Sequence, residues 1–103
     1  MSDSVYHLNE IRGLVYVEDR GKYCRLRSVE KAEEVKIRFQ EICRQLEPDS
    51  FIQVHRSYLV NPYYIYRIDL DTVLLDQGET IPLSRRRRNQ IKEEYFRWSR
   101  CEG

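Results

Sequence analysis

The chain has 103 residues, of which 34% are charged and 41% are apolar, and its formal net charge is +1. A chain of this length has room for one domain with a modest core, so we expect a single domain over residues 1–103. It contains no run approaching the roughly 20 apolar residues that a membrane-spanning helix needs. The first ten residues, MSDSVYHLNE, also lack the features of a secretory signal, so we expect a soluble, cytoplasmic protein.

The N-terminal half predicts a β-hairpin followed by a short helix. The apolar run LVYV at 14–17 predicts a strand, and a polar turn around Gly21 leads to a second strand, YCRLR, at 23–27. The apolar residues that follow fit both helical and strand spacing, and we predict a helix only from about Arg38 to Leu46, closed by Pro48.

The next stretch predicts further strands. Phe51 to Val60 is rich in β-branched and aromatic residues, which predicts a strand that ends at Asn61-Pro62. Tyr64 to Leu70 predicts another strand. Thr72 to Leu75 and Thr80 to Leu83 then predict a hairpin whose turn contains Gly78.

The last element is predicted to be a helix. Ser84 is a suitable N-cap residue, and in the segment RRRRNQIKEEYFRW the residues Ile91, Tyr95 and Trp98 share one helical face. The sequence therefore predicts a mostly β, antiparallel fold with one short internal helix and a C-terminal helical segment.

The basic residues are concentrated near the C-terminus. Residues 84–100 carry seven basic and two acidic side chains, a net charge of +5, and 14 of the 18 basic residues in the chain are arginine. Four arginines at the positive end of a helix dipole disfavour the helix, whereas a docked polyanion reverses the sign of that cost. Because a guanidinium can hold a phosphate or a guanine edge with two hydrogen bonds, this pattern indicates a nucleic-acid partner.

Three segments carry a recognisable family pattern. They are the first hairpin LVYVEDRGKYCRL at 14–26, the run VHRSYLVN at 54–61 preceded by Phe51, and the signature PLSRR at 82–86. In these residues the chain resembles the LytTR family of bacterial DNA-binding domains, over a core of about residues 8–97.

The resemblance implies an elongated β fold that serves as the output domain of response regulators and other transcription regulators. Such domains bind double-stranded DNA at direct-repeat promoter sites through loops that reach successive grooves, often as a pair of protomers. The resemblance leaves open whether an upstream receiver domain is missing from this chain or whether the regulator stands alone. The DNA-binding positions that it carries over are Lys22, Tyr23, Cys24, Arg25, Arg56 and Arg86.

Chemistry divides the candidate residues into two roles. Arg56 and Arg86 are suited to read the O6 and N7 atoms of guanine, which would make them specificity residues. A second group is assigned to phosphates, where it would position the domain: Lys22, Arg25, Arg85 and Arg88. Cys24 is a weaker candidate, because a thiol is a poor hydrogen-bond donor. His55 and Ser57 are assigned to the scaffold.

Other functions are weighed against this one. The irregular spacing of Cys24, Cys43 and Cys101 argues against a disulfide framework and a CxxC zinc site, and the sequence lacks HExxH, GxSxG and glycine-rich phosphate motifs. We therefore expect no metal, no cofactor and no enzymatic activity. Two rivals remain: single-strand or RNA binding through the basic segment, and a protein-interaction surface that includes Tyr95, Phe96 and Trp98.

Overall fold

A computed structural model describes residues 13–46 and 51–102, and it shows eight strands and two helices within them. The elements in chain order are β1 (Leu14–Asp19), β2 (Cys24–Ser28), β3 (Ala32–Val35), α1 (Phe39–Leu46), β4 (Ile52–His55), β5 (Tyr58–Val60), β6 (Ile65–Ile68), β7 (Thr72–Leu75), β8 (Thr80–Pro82) and α2 (Arg88–Glu102). A single 3₁₀ turn, Pro62–Tyr64, precedes β6. The prediction of a mostly β fold with two helical segments is confirmed. Pro48 and the side chain of Cys101 lie outside the described residues.

The strands form two antiparallel sheets. One has five strands in the order β3-β2-β1-β5-β4, and the other has three strands in the order β6-β7-β8. The structure measures 41 × 28 × 24 Å along its principal axes, so the domain is elongated as expected.

The central strand β1 is buried on both faces, and a bulge sorts its side chains between them. The register with β2 shifts between Leu14 and Tyr16, which inserts one extra residue into β1. Leu14 and Val17 therefore face one hydrophobic cluster, while Val15 and Tyr16 face the other. The apolar run LVYV thus belongs to a strand that is covered on both sides.

Helix α1 covers one face of the five-stranded sheet. Its residues Phe39, Ile42 and Leu46 are buried and follow helical spacing, and they pack against Leu26 and Leu59 of the sheet. This apolar stripe agrees with the predicted helix from about Arg38 to Leu46.

The opposite face is covered by the three-stranded sheet and α2. The cluster between them includes Val54, Val60, Val73, Ile81 and Ile91, all of them buried. Ile91 of α2 is fully buried in this core, with Tyr95 packed against it, and burial of a side chain such as Ile91 contributes roughly 1.5–3 kcal/mol. The start of α2 is therefore held at a fixed place beside β4.

The segment from Phe51 to Val60 differs from its prediction as one strand. It contains two strands, β4 and β5, that pair with each other around a turn at residues 56–57. No described non-glycine residue has a positive φ, so this turn is not of the primed type that normally matches the twist of a hairpin. A register shift between Gln53 and His55 gives β4 an extra residue, which accommodates the mismatch.

The start of α2 also differs from the prediction of an N-cap at Ser84. The Ser84 N–H donates to the Val54 carbonyl at 2.8 Å, so the chain is still paired with β4 at this point. Residues 85–87 form a turn, and the helix begins at Arg88. Three of the four consecutive arginines therefore precede the helix, and only Arg88 lies in its first turn.

Candidate nucleic-acid interface

Four connecting segments lie at the same end of the two sheets, and we call this the loop end. They are residues 20–23 between β1 and β2, 56–57 between β4 and β5, 69–71 between β6 and β7, and 84–88, which lead into the first residue of α2. The candidate DNA-binding residues predicted from sequence lie in these segments or directly beside them.

Backbone hydrogen bonds join the four segments into one surface. The Asp19 N–H donates to the Ser57 carbonyl at 2.8 Å, which places the first loop beside the β4–β5 turn. The bond from Ser84 to Val54 places the arginine segment on the other side of that turn. The Leu83 N–H donates to the Asp71 carbonyl at 3.0 Å and adds the β6–β7 turn. Residues far apart in sequence are thus neighbours at the loop end.

The first loop presents Lys22 to solvent. Gly21 has φ of +91°, which a residue with a side chain rarely adopts, and its N–H donates to the Asp19 carboxylate at 2.9 Å. The Arg20 N–H donates to the Tyr23 carbonyl at 3.0 Å and closes the loop. Lys22 is exposed at the tip, while Tyr23 is half-buried.

Cys24 lies in the core and not on the surface. Its exposure is 1%, and burial, with a smaller contribution from Asp19, raises the pKa of its thiol to about 11. A buried, protonated thiol in this position does not reach DNA, so the assignment of Cys24 as a contact residue is corrected. Arg25 follows on the other face of β2, half-buried and paired in register with Glu18.

The β4–β5 turn presents Arg56 at its tip. The side chain of Arg56 is exposed, while His55 is half-buried and its Nδ1 accepts the Ser57 N–H at 3.1 Å. The His55 ring also packs edge-on against Tyr58, with 5.8 Å between ring centroids. His55 therefore fixes the turn that carries Arg56, in agreement with its assignment to the scaffold.

A groove of about 780 Å³ connects the first loop, the β4–β5 turn and the start of α1. Lys22, Arg38 and Arg56 line it, together with Gln40 and Gln53. Sequence reasoning missed Arg38, because nothing in the chain order indicates that the beginning of α1 packs beside these two hairpin tips. Three cationic side chains and one carboxylate, Asp19, line the groove, so its net charge is positive.

The arginines of residues 84–88, at the start of α2, differ in exposure. Arg85 and Arg86 are exposed, whereas Arg88 is half-buried and its Nε donates to the Asp69 carbonyl at 2.9 Å. Arg88 therefore holds the β6–β7 turn in addition to any contact that its outer N–H groups make. Arg85, Arg86 and Arg88 line a second concavity with Leu70 and Asn89, two residues that sequence reasoning did not select.

Carboxylates at the loop end are largely engaged. Glu18 accepts from the Tyr58 hydroxyl at 3.0 Å and lies 3.5 Å from Arg20, and Asp69 accepts from Arg67 at 2.8 Å. Burial, followed by the hydrogen bond to Glu18, raises the pKa of Tyr58 to about 12, so its hydroxyl stays protonated as a donor.

Several cations, by contrast, are not in ion pairs. Within residues 13–46 and 51–102, no described carboxylate lies within 4.0 Å of the charged groups of Lys22, Arg38, Arg56, Arg85 or Arg86. Cationic side chains that their own protein leaves unpaired attract a polyanion. In the same described residues, no cluster of ligating side chains could hold a metal ion and no helix is long and apolar enough to cross a membrane.

A β scaffold with unpaired cationic side chains on adjacent loops is typical of a DNA-binding domain. The LytTr DNA-binding domain model matches residues 4–95, and the chain belongs to this family. Among the solved structures that match is the LytTr DNA-binding domain of a Bacillus cereus protein described as a methyl-accepting/DNA response regulator. It shares 29% sequence identity and a TM-score of 0.72, over 80% of each chain. No curated protein matches significantly. The resemblance inferred from sequence is confirmed, and the chain is a DNA-binding domain of the kind found in transcription regulators.

Proposed function

We propose that the domain binds double-stranded DNA in a sequence-specific manner and recognises promoter repeats through its loop end. The observation that carries this proposal is the meeting of four segments at one end of the sheets, where exposed cations such as Lys22, Arg56 and Arg86 lie outside the described ion pairs. It has no catalytic role in this proposal and acts in the cytoplasm, where the chromosome of a bacterium lies.

The exposed arginines at the two tips are proposed as the base readers. Arg56 and Arg86 lie on short, hydrogen-bonded turns, so their guanidinium groups are presented by rigid backbone to the edge of a guanine. A good bidentate pair is worth about 1–3 kcal/mol of discrimination against the wrong base.

Phosphate contacts are proposed for the residues around these readers. Lys22 and Arg38 flank Arg56 across the groove, and Arg85 precedes Arg86. Arg25 and Arg88 are half-buried and contribute at the margin, and Tyr23 supports the first loop. Such contacts set affinity and register without reading sequence.

The dimensions of the domain suit binding as a pair. Its two shorter extents are 28 and 24 Å, less than the roughly 34 Å of one DNA helical turn. With the 41 Å axis directed away from the duplex, two copies fit one turn apart on the same face, which is the geometry of a direct repeat. We propose that the domain serves as the output part of a transcription regulator.

Selection from a pool of random duplexes tests the proposal. We expect enrichment of a short repeated motif, and binding to that motif should weaken steeply with salt, with a log–log slope of about −0.9 per phosphate contact. The control is the double variant Arg56→Ala/Arg86→Ala, which should lose the motif while it keeps weak, salt-sensitive binding.

Other outcomes would contradict the proposal. If single strands or RNA compete better than the selected duplex, the basic surface serves another nucleic acid. If no motif emerges and binding is weak and insensitive to salt, the surface instead docks a protein partner.

A further inference from the structure

Leu70 is an exposed leucine at the tip of the β6–β7 turn. Its side chain is 62% exposed, although the turn lies at the loop end among charged residues. A single exposed leucine is common on protein surfaces, so exposure alone assigns no role. The backbone and the neighbours of this leucine supply the argument.

The turn that carries Leu70 is held from three directions. The Asp69 N–H donates to the Thr72 carbonyl at 2.8 Å, and the Asp71 carbonyl accepts the Leu83 N–H at 3.0 Å. The Asp69 carbonyl also accepts from Arg88 Nε at 2.9 Å. Because the backbone is fixed on both sides of Leu70, its side chain projects from a rigid position.

The surroundings of Leu70 favour an anionic occupant that also has an apolar group. A concavity of about 430 Å³ is lined by Leu70 together with Arg85, Arg86, Arg88 and Asn89. Asp71 flanks Leu70, but the other neighbouring carboxylate, Asp69, is engaged by Arg67. Three guanidinium groups therefore dominate the charge, which disfavours an apolar peptide.

We propose that Leu70 contacts the 5-methyl group of a thymine in the major groove and is a further specificity residue of this domain. This inference rests on the proposed function. Apolar side chains read thymine through its methyl group, and that group lies in the same groove as the guanine edge assigned to Arg86. Because Leu70 and Arg86 line one concavity, the thymine lies within about two base pairs of that guanine, a distance of roughly 7 Å along the duplex.

Deoxyuridine substitution tests the contact at a single methyl group. In the selected duplex, each thymine is replaced in turn by deoxyuridine, which lacks only the 5-methyl group, and affinity is measured for the wild type and for Leu70→Ala. At one thymine in each repeat, we expect the wild type to lose about fourfold in affinity, the factor for one buried methyl-sized group. Leu70→Ala should show no loss at that thymine.

Two control variants make the test specific. Leu70→Met keeps an apolar side chain, so it should still lose affinity when that thymine is replaced by deoxyuridine. Val29→Ala removes methyl groups from another exposed apolar residue, which lies in the turn between β2 and β3, away from the loop end. At every deoxyuridine position, this variant should lose the same affinity as the wild type. Because Leu70 and Val29 are both exposed, all three variants should unfold at the denaturant concentration of the wild type.

Several outcomes overturn the inference. In the first, no deoxyuridine substitution lowers the affinity of the wild type for the duplex. In the second, a deoxyuridine substitution lowers the affinity of the wild type and of Leu70→Ala by the same factor. In the third, Leu70→Ala loses the same affinity on every duplex, whether or not it contains deoxyuridine. The first needs no variant, so it applies even if Leu70→Ala fails to fold. If selection yields no motif at all, the proposed function fails as well; a motif without coupling to Leu70 removes only this inference.

Discussion

The two ends of the sheets are built from similar hairpins but treat their polar side chains differently. At the end opposite the loop end, here the far end, lie residues 28–31, 61–64 and 76–79. There Arg27 lies 3.4 Å from Glu79, and Lys31 lies 3.9 Å from Glu33. At the loop end, Lys22 and Arg56 have no such described partner.

Asn61 makes two hydrogen bonds at the far end through its side-chain amide. Its Nδ2 donates to the Leu14 carbonyl at 3.0 Å, and its Oδ1 accepts the Tyr63 N–H at 3.0 Å. One side chain thus joins β1 to the 3₁₀ turn. The difference between the two ends therefore lies in their cations: Arg27 and Lys31 at the far end have carboxylate partners, whereas Lys22 and Arg56 at the loop end have none among the described residues.

The largest expected effect comes from removing the core residue that anchors the arginine segment. Ile91→Ala should lower the free energy of unfolding by about 2–5 kcal/mol, because it deletes a fully buried side chain between α2 and the sheets. Phe96→Ala, on the same helix but 65% exposed, should change it by less than about 0.5 kcal/mol. Chemical denaturation measures both, and equal losses would contradict the described packing of α2.

Two adjacent arginines separate base reading from phosphate binding. Arg86→Ala should weaken binding to the selected duplex by about 1–3 kcal/mol and affect a random duplex much less. Arg85→Ala is the matched control, since it removes an exposed arginine from the same turn, and it should weaken both duplexes about equally. Titration of both duplexes decides the matter. If the two variants behave alike, the assignment of roles is wrong.

A variant of the far end should affect stability and leave DNA affinity unchanged. Asn61→Ala removes both hydrogen bonds of that side chain, so the free energy of unfolding should fall by about 1–2 kcal/mol. Its affinity for the selected duplex, measured well below the unfolding transition, should equal that of the wild type. A weaker complex in that measurement would show that the two ends are not functionally separate.

The smallest expected effect distinguishes two exposed lysines. Lys22→Ala at the loop end should reduce the magnitude of the log–log salt slope by about 0.9, the value for one phosphate contact. Lys31→Ala at the far end is the counterpart and should leave the slope unchanged. Titrations at several salt concentrations measure both slopes, and a change with Lys31→Ala would place DNA elsewhere on the domain.

The strands with glycine turns could be predicted from sequence. Gly21 and Gly78 have positive φ values, and each lies in a hairpin turn of the predicted kind. The apolar stripe of α1 likewise follows from its spacing. In these places local chemistry and tertiary structure agree, so the residues of the segment itself are enough to predict its structure.

Two predictions were wrong because the structure depends on contacts between distant segments: the single strand from Phe51 to Val60 and the N-cap at Ser84. The turn at Arg56-Ser57 contains no glycine, proline or asparagine, and it depends on a bulge in β4 and on the bond between His55 and Ser57. Ser84 looks like an N-cap but is paired with β4 through Val54. Both features depend on contacts that a linear pattern does not contain.

In the candidate site, too, residues within a local motif could be selected from sequence, whereas features that depend on tertiary packing could not. Arg56 and Arg86 could be chosen from their motif, but the sequence does not show that Cys24 is buried. Arg38 and Leu70 could not be chosen either, because each becomes part of the loop end only through packing between segments that are distant along the chain.

The most direct test of the central claim is hydrogen exchange of backbone amides with and without the selected duplex. We predict that DNA slows exchange in residues 20–23, 56–57, 69–71 and 84–88, while the far-end residues 28–31, 61–64 and 76–79 exchange as in the free domain. Protection at the far end with no change at the loop end would contradict the account.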